Sequence, residues 1–217
     1  MKSYFPETPR FIMRLFSKYT WRFNSDKKEI FLTFDDGPTP KITQFVLAEL
    51  KKYNAKATFF CIGKNIQNHP EIFKDIISDG HSIGNHTQNH LKGWQTNNAT
   101  YIENTLTCEH VISKEFKNLK LKTQNLKIFR PPYGKIKKAQ AKELLKRGYK
   151  IIMWSVLSAD FDTTISNEKC LNNVLKNTKA GSIIVFHDSV KAAERMQYAL
   201  PKVLKHFSDK GFVFKSI

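Results

Sequence analysis

The chain has 217 residues, 41% of them hydrophobic and 12% aromatic, which suits one large or two small ordered domains and argues against a disordered protein. The formal net charge at pH 7 is +17 and the sequence pI is about 9.8. This balance favours anionic partners such as nucleic acid, acidic glycans or anionic lipid, although a dispersed lysine-rich surface explains it equally well.

The N-terminal segment, residues 1–28, has the spacing of an amphipathic helix. Thr8 is predicted to cap this helix, with Pro9 in its first turn. The apolar residues fall on one face and the basic residues on another: Phe11, Ile12, Leu15, Phe16 and Tyr19 against Arg10, Arg14 and Lys18. Packing of the apolar face on the domain is one interpretation, and peripheral contact with an anionic membrane is the other.

Strands and helices alternate through the rest of the chain, residues 29–217. Apolar runs predict strands at 29–34, 57–62, 81–85, 127–130, 149–156, 182–187 and 212–217. Helical spacing predicts helices at 39–54, 69–80, 97–116, 137–148, 166–177 and 190–207, the last with a kink at Pro201. The alternation predicts an α/β fold with about seven parallel strands, either an incomplete barrel or an open doubly wound sheet.

Three cysteines, Cys61, Cys108 and Cys170, form no CxxC motif and no even set, so we expect buried thiols. No apolar run approaches the ~20 residues of a membrane span, and basic residues interrupt the apolar residues of the N-terminus. We therefore expect a protein that is cytoplasmic or peripheral at the inner membrane face, with export by other means left open. We also expect a monomer.

Polar residues with catalytic potential follow the predicted strands. They are Asp35 and Asp36 after the first strand, His86 and His90 after the third, Arg130 after the fourth, Asp160 after the fifth and His187 at the end of the sixth. Because the carboxyl ends of parallel strands share one edge, we expect these side chains to form one site.

The pair His86 and His90 has HxxxH spacing, which on a helix directs both imidazoles at one metal ion. No HExxH glutamate is present, so the third ligand and the base must come from elsewhere. Asp35 and Asp36 supply one ligand and one free base for a metal-activated water, the arrangement of a hydrolytic zinc site. Cobalt, iron, manganese and nickel accept the same ligands, and a simple DDGP turn is the alternative.

Arg130 begins the segment RPPYG, where its guanidinium would hold one carboxylate ionised. A surface arginine before a rigid turn is the alternative. His187 ends a buried strand, where it is either a core histidine or a general acid held protonated by a carboxylate such as Asp160.

Six segments, TFDDGP, ATFF, GHSIGNHTQNH, RPPYG, WSVLSADF and SIIVFHD, together resemble the polysaccharide deacetylases of carbohydrate esterase family 4, which share the NodB homology domain. The resemblance covers about Glu29 to the C-terminus. It implies a distorted, incomplete (β/α) barrel as the catalytic domain, residues 29–217, which removes N-acetyl groups from amino sugars.

The resemblance also implies a role for each site residue. Asp35 would be the base and would pair with Arg130, while His187 would be the general acid, tuned by Asp160. The ligands of one divalent metal ion, Zn²⁺ before Co²⁺, Ni²⁺, Fe²⁺ or Mn²⁺, would be Asp36, His86 and His90. The substrate-binding residues would be Pro131, Tyr133 (through its backbone N–H, which would bind the oxyanion), Trp154, Phe161 and Val185.

The substrate implied is an N-acetylated glycan: peptidoglycan, a chitin-like oligomer or a surface polysaccharide. Phe161 replaces a tryptophan, and Leu157 an aspartate, found in many members of the family, which affects substrate choice more than chemistry. The alternative is a deacetylase or deformylase of a lipid-linked or nucleotide-linked amino sugar at the cytoplasmic membrane face. A non-enzymatic glycan-binding module is disfavoured because both proton-transfer residues are retained. No nucleic-acid partner is expected, because no basic stripe interleaved with aromatic residues is found.

Overall fold

The computed structural model describes residues 4–119 and 127–217, so residues 1–3 of the predicted N-terminal segment lie outside the described part. The described residues form strands β1 Glu29–Asp35, β2 Thr58–Cys61, β3 Ser82–Asn85, β4 Ile128–Phe129, β5 Lys150–Ile151, β6 Val156–Leu157, β7 Ile183–His187 and β8 Val213–Lys215. They form helices α1 Arg10–Leu15, α2 Ile42–Lys52, α3 Gly63–Asn68, α4 Pro70–Ser78, α5 Asn98–Asn118, α6 Lys138–Lys146, α7 Asn167–Asn177 and α8 Ala193–Asp209.

The strands form one parallel sheet in the order β5-β4-β3-β2-β1-β7-β6, with β8 paired to the start of β1. Its two edge strands, β5 and β6, are joined by only residues 152–155. A flat sheet would hold these edges about 29 Å apart, whereas five peptide steps span at most about 18 Å. The sheet must therefore curl, which confirms the incomplete barrel and excludes the open sheet.

The single strand predicted at 149–156 is wrong, because this segment forms two short strands at opposite edges of the sheet. Between them, the carbonyl oxygens of Ile152 and Met153 accept hydrogen bonds from the Arg130 side chain, at 3.1 and 2.9 Å. These carbonyls face a side chain inside the barrel instead of a neighbouring strand.

Alternate residues of each strand face the helices and the barrel interior. On β1, Ile30, Leu32 and Phe34 belong to the large cluster under the helices. The interior floor is a separate cluster of buried side chains: Phe60, Ile128, Ile152 and Ile183. Arg130 lies over this floor, with its guanidinium carbon 4.1 Å from the centre of the Phe60 ring. The apolar floor excludes water from beneath the polar residues at the carboxyl ends of the strands.

The N-terminal residues run antiparallel along the edge strand β6. Glu7 bridges Val156, and the Thr8 N–H donates to the Ser155 carbonyl at 2.9 Å. The predicted Thr8 cap is wrong, because its hydroxyl donates to the Trp154 carbonyl at 2.9 Å and Pro9 occupies the N-cap position of α1. The hydroxyl is therefore used to attach this segment to the barrel.

The apolar face predicted for the N-terminal helix is divided in the structure. Ile12 and Tyr19 pack against the cluster that contains Trp21, whereas Phe11 and Leu15 are 67% and 73% exposed. Phe11, Ile12 and Leu15 all lie within α1, so the helix packs on the barrel through the side that carries Ile12 and Met13 and leaves the side of Phe11 and Leu15 in solvent.

The cysteines Cys61, Cys108 and Cys170 are buried and unpaired, as predicted. Burial raises the pKa of Cys108 to about 12, so it packs as a protonated thiol. No helix within residues 4–119 and 127–217 is long and apolar enough to cross a membrane.

His81, directly before β3, is only 2% exposed, and its Nδ1 accepts the Ala57 N–H at 3.2 Å. Burial lowers the pKa of His81 to about 4, with a contribution from Lys56 that outweighs the opposing Asp79. The structure therefore requires a neutral imidazole that is protonated only at Nε2.

Because the folded chain binds this proton more weakly than the unfolded chain, stability from neutral His81 is fully present above about pH 6.5 and is lost as pH falls towards 4. We expect the free energy of unfolding to fall by up to about 3 kcal/mol more in the wild type than in His81→Asn over this window. The Asn Oδ1 accepts the same N–H without titrating. Urea unfolding at several pH values tests this, and equal pH dependence in both proteins would contradict it.

Candidate active site

The side chains predicted to share one site meet at the carboxyl ends of the strands. Asp35 and His187 are the last residues of β1 and β7 and are paired in register. Arg130 directly follows β4, and the loop beginning at His86 directly follows β3. The parallel topology places all of them on one rim, which we call the carboxyl-end rim.

A group of possible metal ligands lies at this rim. The ligand atoms of Asp36, His86 and His90 lie within 4.8 Å of one another. The two Nε2 atoms are 3.6 Å (His86) and 3.2 Å (His90) from Oδ1 of Asp36. The histidines are not on a helix as their spacing suggested. They flank a loop in which Thr87 and His90 have φ values of 67° and 54°, and this loop turns both rings towards Asp36.

The arrangement fits a cation. Oδ1 of Asp36 is buried and accepts no hydrogen bond of good geometry. Nδ1 of His86 lies 2.8 Å from the Arg130 carbonyl, which can only accept, so Nδ1 carries the proton and the Nε2 lone pair faces Asp36. A carboxylate oxygen and imidazole lone pairs that converge in this way are the ligand set of a divalent metal site.

The charge states also suit ligation. Burial lowers the pKa of His86 to about 4, so this ring is neutral at neutral pH. Burial alone would raise the pKa of Asp36, but the His90 ring, whose Nε2 is 3.2 Å from Oδ1, and the imidazoles of His187 and His86 hold it well below its usual range. Neutral imidazole and ionised carboxylate are the forms that bind metal.

Asp35 is held by Arg130 in a buried ion pair, with 2.7 Å between Oδ1 and Nη1. The same guanidinium donates to the Thr33 hydroxyl at 2.6 Å and to two carbonyls of residues 152–153. Burial lowers the pKa of Arg130, and Asp35 opposes that shift. The arginine stays charged, because guanidinium does not deprotonate in proteins. Asp35 is therefore fixed in place and its charge is balanced.

His187 is held by Asp160, whose two carboxylate oxygens accept from the His187 Nδ1–H and backbone N–H, both at 2.7 Å. Burial opposes the charged imidazolium, but Asp160 prevails and, with Asp36 and Asp35, raises the pKa of His187 to about 10. A cation bound by Asp36 would lower this value by repulsion. Nε2 is left as the nitrogen that can transfer a proton.

Unusual backbone conformations concentrate at the rim. In the described part of the chain, seven residues other than glycine have positive φ, and five of them belong to the site: Asp36, Thr87, His90, Tyr133 and Ala159. Such conformations cost free energy and persist where surrounding contacts impose them. One such contact is the 2.7 Å hydrogen bond from the Asn65 side chain to the Asp36 carbonyl.

The residues predicted to bind substrate lie around this centre. Tyr133 is 53% exposed with its ring 4.6 Å from that of His90, and none of the described residues accepts its backbone N–H. Phe161 packs edge-on against His187 at 5.2 Å. Trp154 lies against Gly134, where an added Cβ would be 2.6 Å from its ring. Pro131 begins the turn that carries Tyr133. Val185 is fully buried beside Leu157 and Ala159, in a cluster against which Phe161 packs.

Sequence reasoning assigned no role to Asp188, which directly follows His187 at the carboxyl-end rim. Its carboxylate accepts the Gly37 N–H at 3.0 Å and the Thr43 hydroxyl at 2.5 Å, which fixes the turn that follows Asp36. Burial raises the pKa of Asp188 to about 7, supported by Asp36 and opposed by the Thr43 hydrogen bond. Its position next to His187 was the only signal in the sequence.

Tyr4 was also missed. Its hydroxyl donates to Asp162 at 3.0 Å across 158 residues of sequence, and its ring packs on Phe161 at 5.7 Å. No local pattern predicts such a contact. Tyr4 and Phe161 together form an aromatic wall of the site beside His187.

We expect Gly37→Ala to destabilise the fold by about 1–3 kcal/mol and to lower activity, because a Cβ there would lie 2.0 Å from Oδ2 of Asp188. Thermal unfolding and an activity assay measure the two effects. Gly148→Ala is the control. It has a φ of +84° and no atom within 4 Å of an added Cβ, so it should cost about 1 kcal/mol with activity retained. Full activity in Gly37→Ala would show that the turn is not critical.

Proton-transfer groups on either side of a possible cation site are typical of hydrolases that activate water. A family profile for polysaccharide deacetylase matches residues 23–152. The chain belongs to this family, carbohydrate esterase family 4 with the NodB homology domain, and is a hydrolytic deacetylase.

Relatives with assigned activities share most of the chain. It is 35% identical over 199 residues to a peptidoglycan-N-acetylglucosamine deacetylase of Bacillus cereus, covering 91% of this chain and 90% of the relative. It is 34% identical over 171 residues to a chitooligosaccharide deacetylase of Azorhizobium caulinodans, covering 77% of each. The crystal structure of a peptidoglycan N-acetylglucosamine deacetylase in complex with 4-naphthalen-1-yl-N-oxidanyl-benzamide superposes with a TM-score of 0.85 at 32% identity, covering 97% of this chain and 95% of that one.

Proposed function

We propose that this protein hydrolyses the N-acetyl groups of peptidoglycan amino sugars, with release of acetate and a free amine. The observation that carries the proposal is the placement of a buried Asp35–Arg130 pair and a His187–Asp160 pair at the same rim as the Asp36, His86 and His90 group. The names of the relatives support the substrate class.

Asp36, His86 and His90 would hold one divalent cation, Zn²⁺ first among Co²⁺, Ni²⁺, Fe²⁺ and Mn²⁺. A cation bound there acts as a Lewis acid that acidifies water and polarises a carbonyl. The hydrogen bond between Nδ1 of His86 and the Arg130 carbonyl keeps the ligand nitrogen, Nε2, unprotonated.

Asp35 accepts the proton of the attacking water. Arg130 fixes the orientation of this carboxylate, since Nη1 donates a hydrogen bond to Oδ1 at 2.7 Å. The Tyr133 N–H, which has no acceptor among the described residues, would donate to the carbonyl oxygen as negative charge develops on it.

His187 donates the proton that the leaving amine requires, because an amide anion is too poor a leaving group. Asp160 holds the ring through Nδ1–H, which leaves the Nε2 proton for transfer. Asp35 and His187 end adjacent strands, so one scissile amide can reach both.

The rim beside the site favours an acidic glycan over a neutral chitin-like oligomer. Two exposed aromatic residues lie there, each with a lysine ammonium over its ring: Lys92 over Tyr133 at 5.5 Å and Lys135 over Trp94 at 5.0 Å. Lysines in these positions can pair with the carboxylates of peptidoglycan, which chitin lacks. A lipid-linked or nucleotide-linked amino sugar remains the alternative substrate, with the protein then at the cytoplasmic membrane face.

Acetate release from peptidoglycan fragments, chitin oligomers and a lipid-linked N-acetyl sugar tests the proposal. Each assay is run after chelation and again after zinc or cobalt is restored. We expect release from peptidoglycan that disappears with chelator and returns with metal. Release that is unaffected by chelation would refute the metal-assisted mechanism, and release only from the lipid-linked sugar would favour the alternative substrate.

Loss of one ligand side chain should strongly weaken metal binding. We expect His86→Ala to weaken zinc binding by more than about 100-fold, since even altered hydrogen-bond partners of ligands cost 10–100-fold, and to lose acetate release. Isothermal titration with zinc measures this. His110→Ala, on the exposed surface of α5, is the matched control and should bind zinc as the wild type does. Zinc affinity retained in His86→Ala would show that the ligand set is wrong.

A further inference from the structure

Large apolar side chains are exposed in one short stretch near the N-terminus. Eight large hydrophobic residues are exposed in the described part of the chain, and four of them lie within residues 5–16. These four are Phe5 (52% exposed), Phe11 (67%), Leu15 (73%) and Phe16 (44%). Clustered exposed apolar groups, unlike scattered ones, mark an interaction surface. Phe11, Leu15 and Phe16 fall within six residues, whereas Phe5 lies on the segment that runs towards the carboxyl-end rim.

The helix α1 carries large apolar side chains on its solvent side as well as on the side packed against the barrel. Ile12 and Met13 pack against the barrel cluster, while Phe11 and Leu15, four residues apart, share the solvent side. A helix that only packed on the domain would present polar residues there. The solvent side of α1 is therefore suited to a partner with an apolar interior.

Positive charge surrounds these apolar residues. A cleft of about 220 Å³ beside α1 is lined by four cationic side chains, Arg10, Arg14, Arg22 and Lys179. Glu7 is the single acidic residue in the lining, and its carboxylate is 3.3 Å from Nζ of Lys179. The cleft therefore favours an anionic group next to the exposed apolar side chains.

We propose that this surface, made of the exposed apolar side chains of α1 and the cationic cleft beside it, binds an anionic phospholipid bilayer. Phe11, Leu15 and Phe16 would enter the boundary between headgroups and acyl chains, and the cleft would hold a lipid phosphate. A second copy of the chain would bring two sets of cations together, and an anionic polymer would leave the apolar side chains exposed. A bilayer satisfies both features.

The surface lies at the end of the barrel opposite the active site. Residues 4–8 run antiparallel to β6, with Tyr4 beside Phe161 at the carboxyl-end rim and α1 beyond the other end. Arg22 bridges Ser182 at the start of β7, about 17 Å along the strand from His187. A bilayer bound here leaves the site facing away from the membrane, open to a polymer.

Cosedimentation of the full chain with vesicles tests the proposal. Vesicles of phosphatidylcholine alone are compared with vesicles that also contain phosphatidylglycerol, and inorganic polyphosphate is added as a competing anionic polymer. Phe11→Ser/Leu15→Ser tests the apolar side chains and Arg10→Gln/Arg14→Gln tests the cleft. Trp94→Ser is the control, because Trp94 is 60% exposed but lies near Ile136, Lys135 and the carboxyl-end rim. Circular dichroism verifies that each variant is folded.

We expect binding only to the anionic vesicles, weakened at least tenfold in the serine variant and about fivefold for each arginine removed. The Trp94→Ser variant should bind as the wild type does. Absence of binding to anionic vesicles overturns the proposal. Vesicle binding that the serine variant retains also overturns it, because the cationic cleft alone would then explain the binding, as it would for an anionic polymer. A dimer in light scattering that the serine variant abolishes, without vesicle binding, would identify a second copy instead. None of these outcomes depends on deacetylase activity.

Discussion

Asp35→Asn should lower kcat for acetate release by about 10²–10⁴-fold while leaving zinc affinity nearly unchanged, because that is the usual contribution of a general base. The amide keeps the size of the side chain and can accept the 2.7 Å hydrogen bond from Arg130, but it cannot take a proton from water. Steady-state kinetics at saturating zinc and titration calorimetry measure the two quantities separately.

The neighbouring aspartate provides the matched control. Asp36→Asn removes the charged oxygen that both histidine Nε2 atoms face, so it should weaken zinc binding first. The two adjacent substitutions therefore separate proton transfer from ligation. If Asp35→Asn turns over at the wild-type rate, the base lies elsewhere. If Asp35→Asn loses zinc as Asp36→Asn does, the assignment of the two aspartates is reversed.

Arg130→Met should reduce the free energy of unfolding by about 3–5 kcal/mol, the usual cost of leaving one charge of a buried pair without its partner. Asp35 is 3% exposed and would lose its counter-charge, and the carbonyls of Ile152 and Met153 would lose their donor. Urea unfolding measures this loss.

An exposed ion pair between an arginine and a glutamate serves as the control. Arg147 contacts Glu143 at 2.8 Å, but both side chains are about 40% exposed, so Arg147→Met should cost less than about 1 kcal/mol. The double variant Arg130→Met/Asp35→Leu should be more stable than Arg130→Met, since it removes the unpaired charge. Equal stabilities of the two Arg→Met variants would show that the buried pair does not hold the barrel together.

Local pattern predicted most strands and helices of the barrel and the side of it on which the site lies. Apolar runs such as residues 29–34 and 182–187 predicted strands that are buried on both sides, and the alternation with helices predicted a parallel sheet. The parallel arrangement then assigned Asp35, Arg130 and His187 to one rim, because their positions at strand ends follow from sequence alone.

The conformation of the loops at that rim could not be predicted in this way. The spacing of His86 and His90 suggested a helix, whereas the loop is held by hydrogen bonds from Gly63 N–H to the Thr87 carbonyl and from Lys64 N–H to the Gln88 carbonyl. These donors begin α3, a helix that periodicity did not reveal. Contacts between distant backbone groups have no periodic signature in either segment.

The sequence by itself determined most of the succession of strands and helices and the residue types at the strand ends, because burial and periodicity are local properties. Tertiary structure decided where residues 149–156 divide, since the Arg130 side chain draws their carbonyls inward. It also decided that Tyr4 joins the site wall and that α1 presents Phe11 and Leu15 to solvent. These features depend on partners far along the chain, which meet only when the sheet curls and brings its edge strands together.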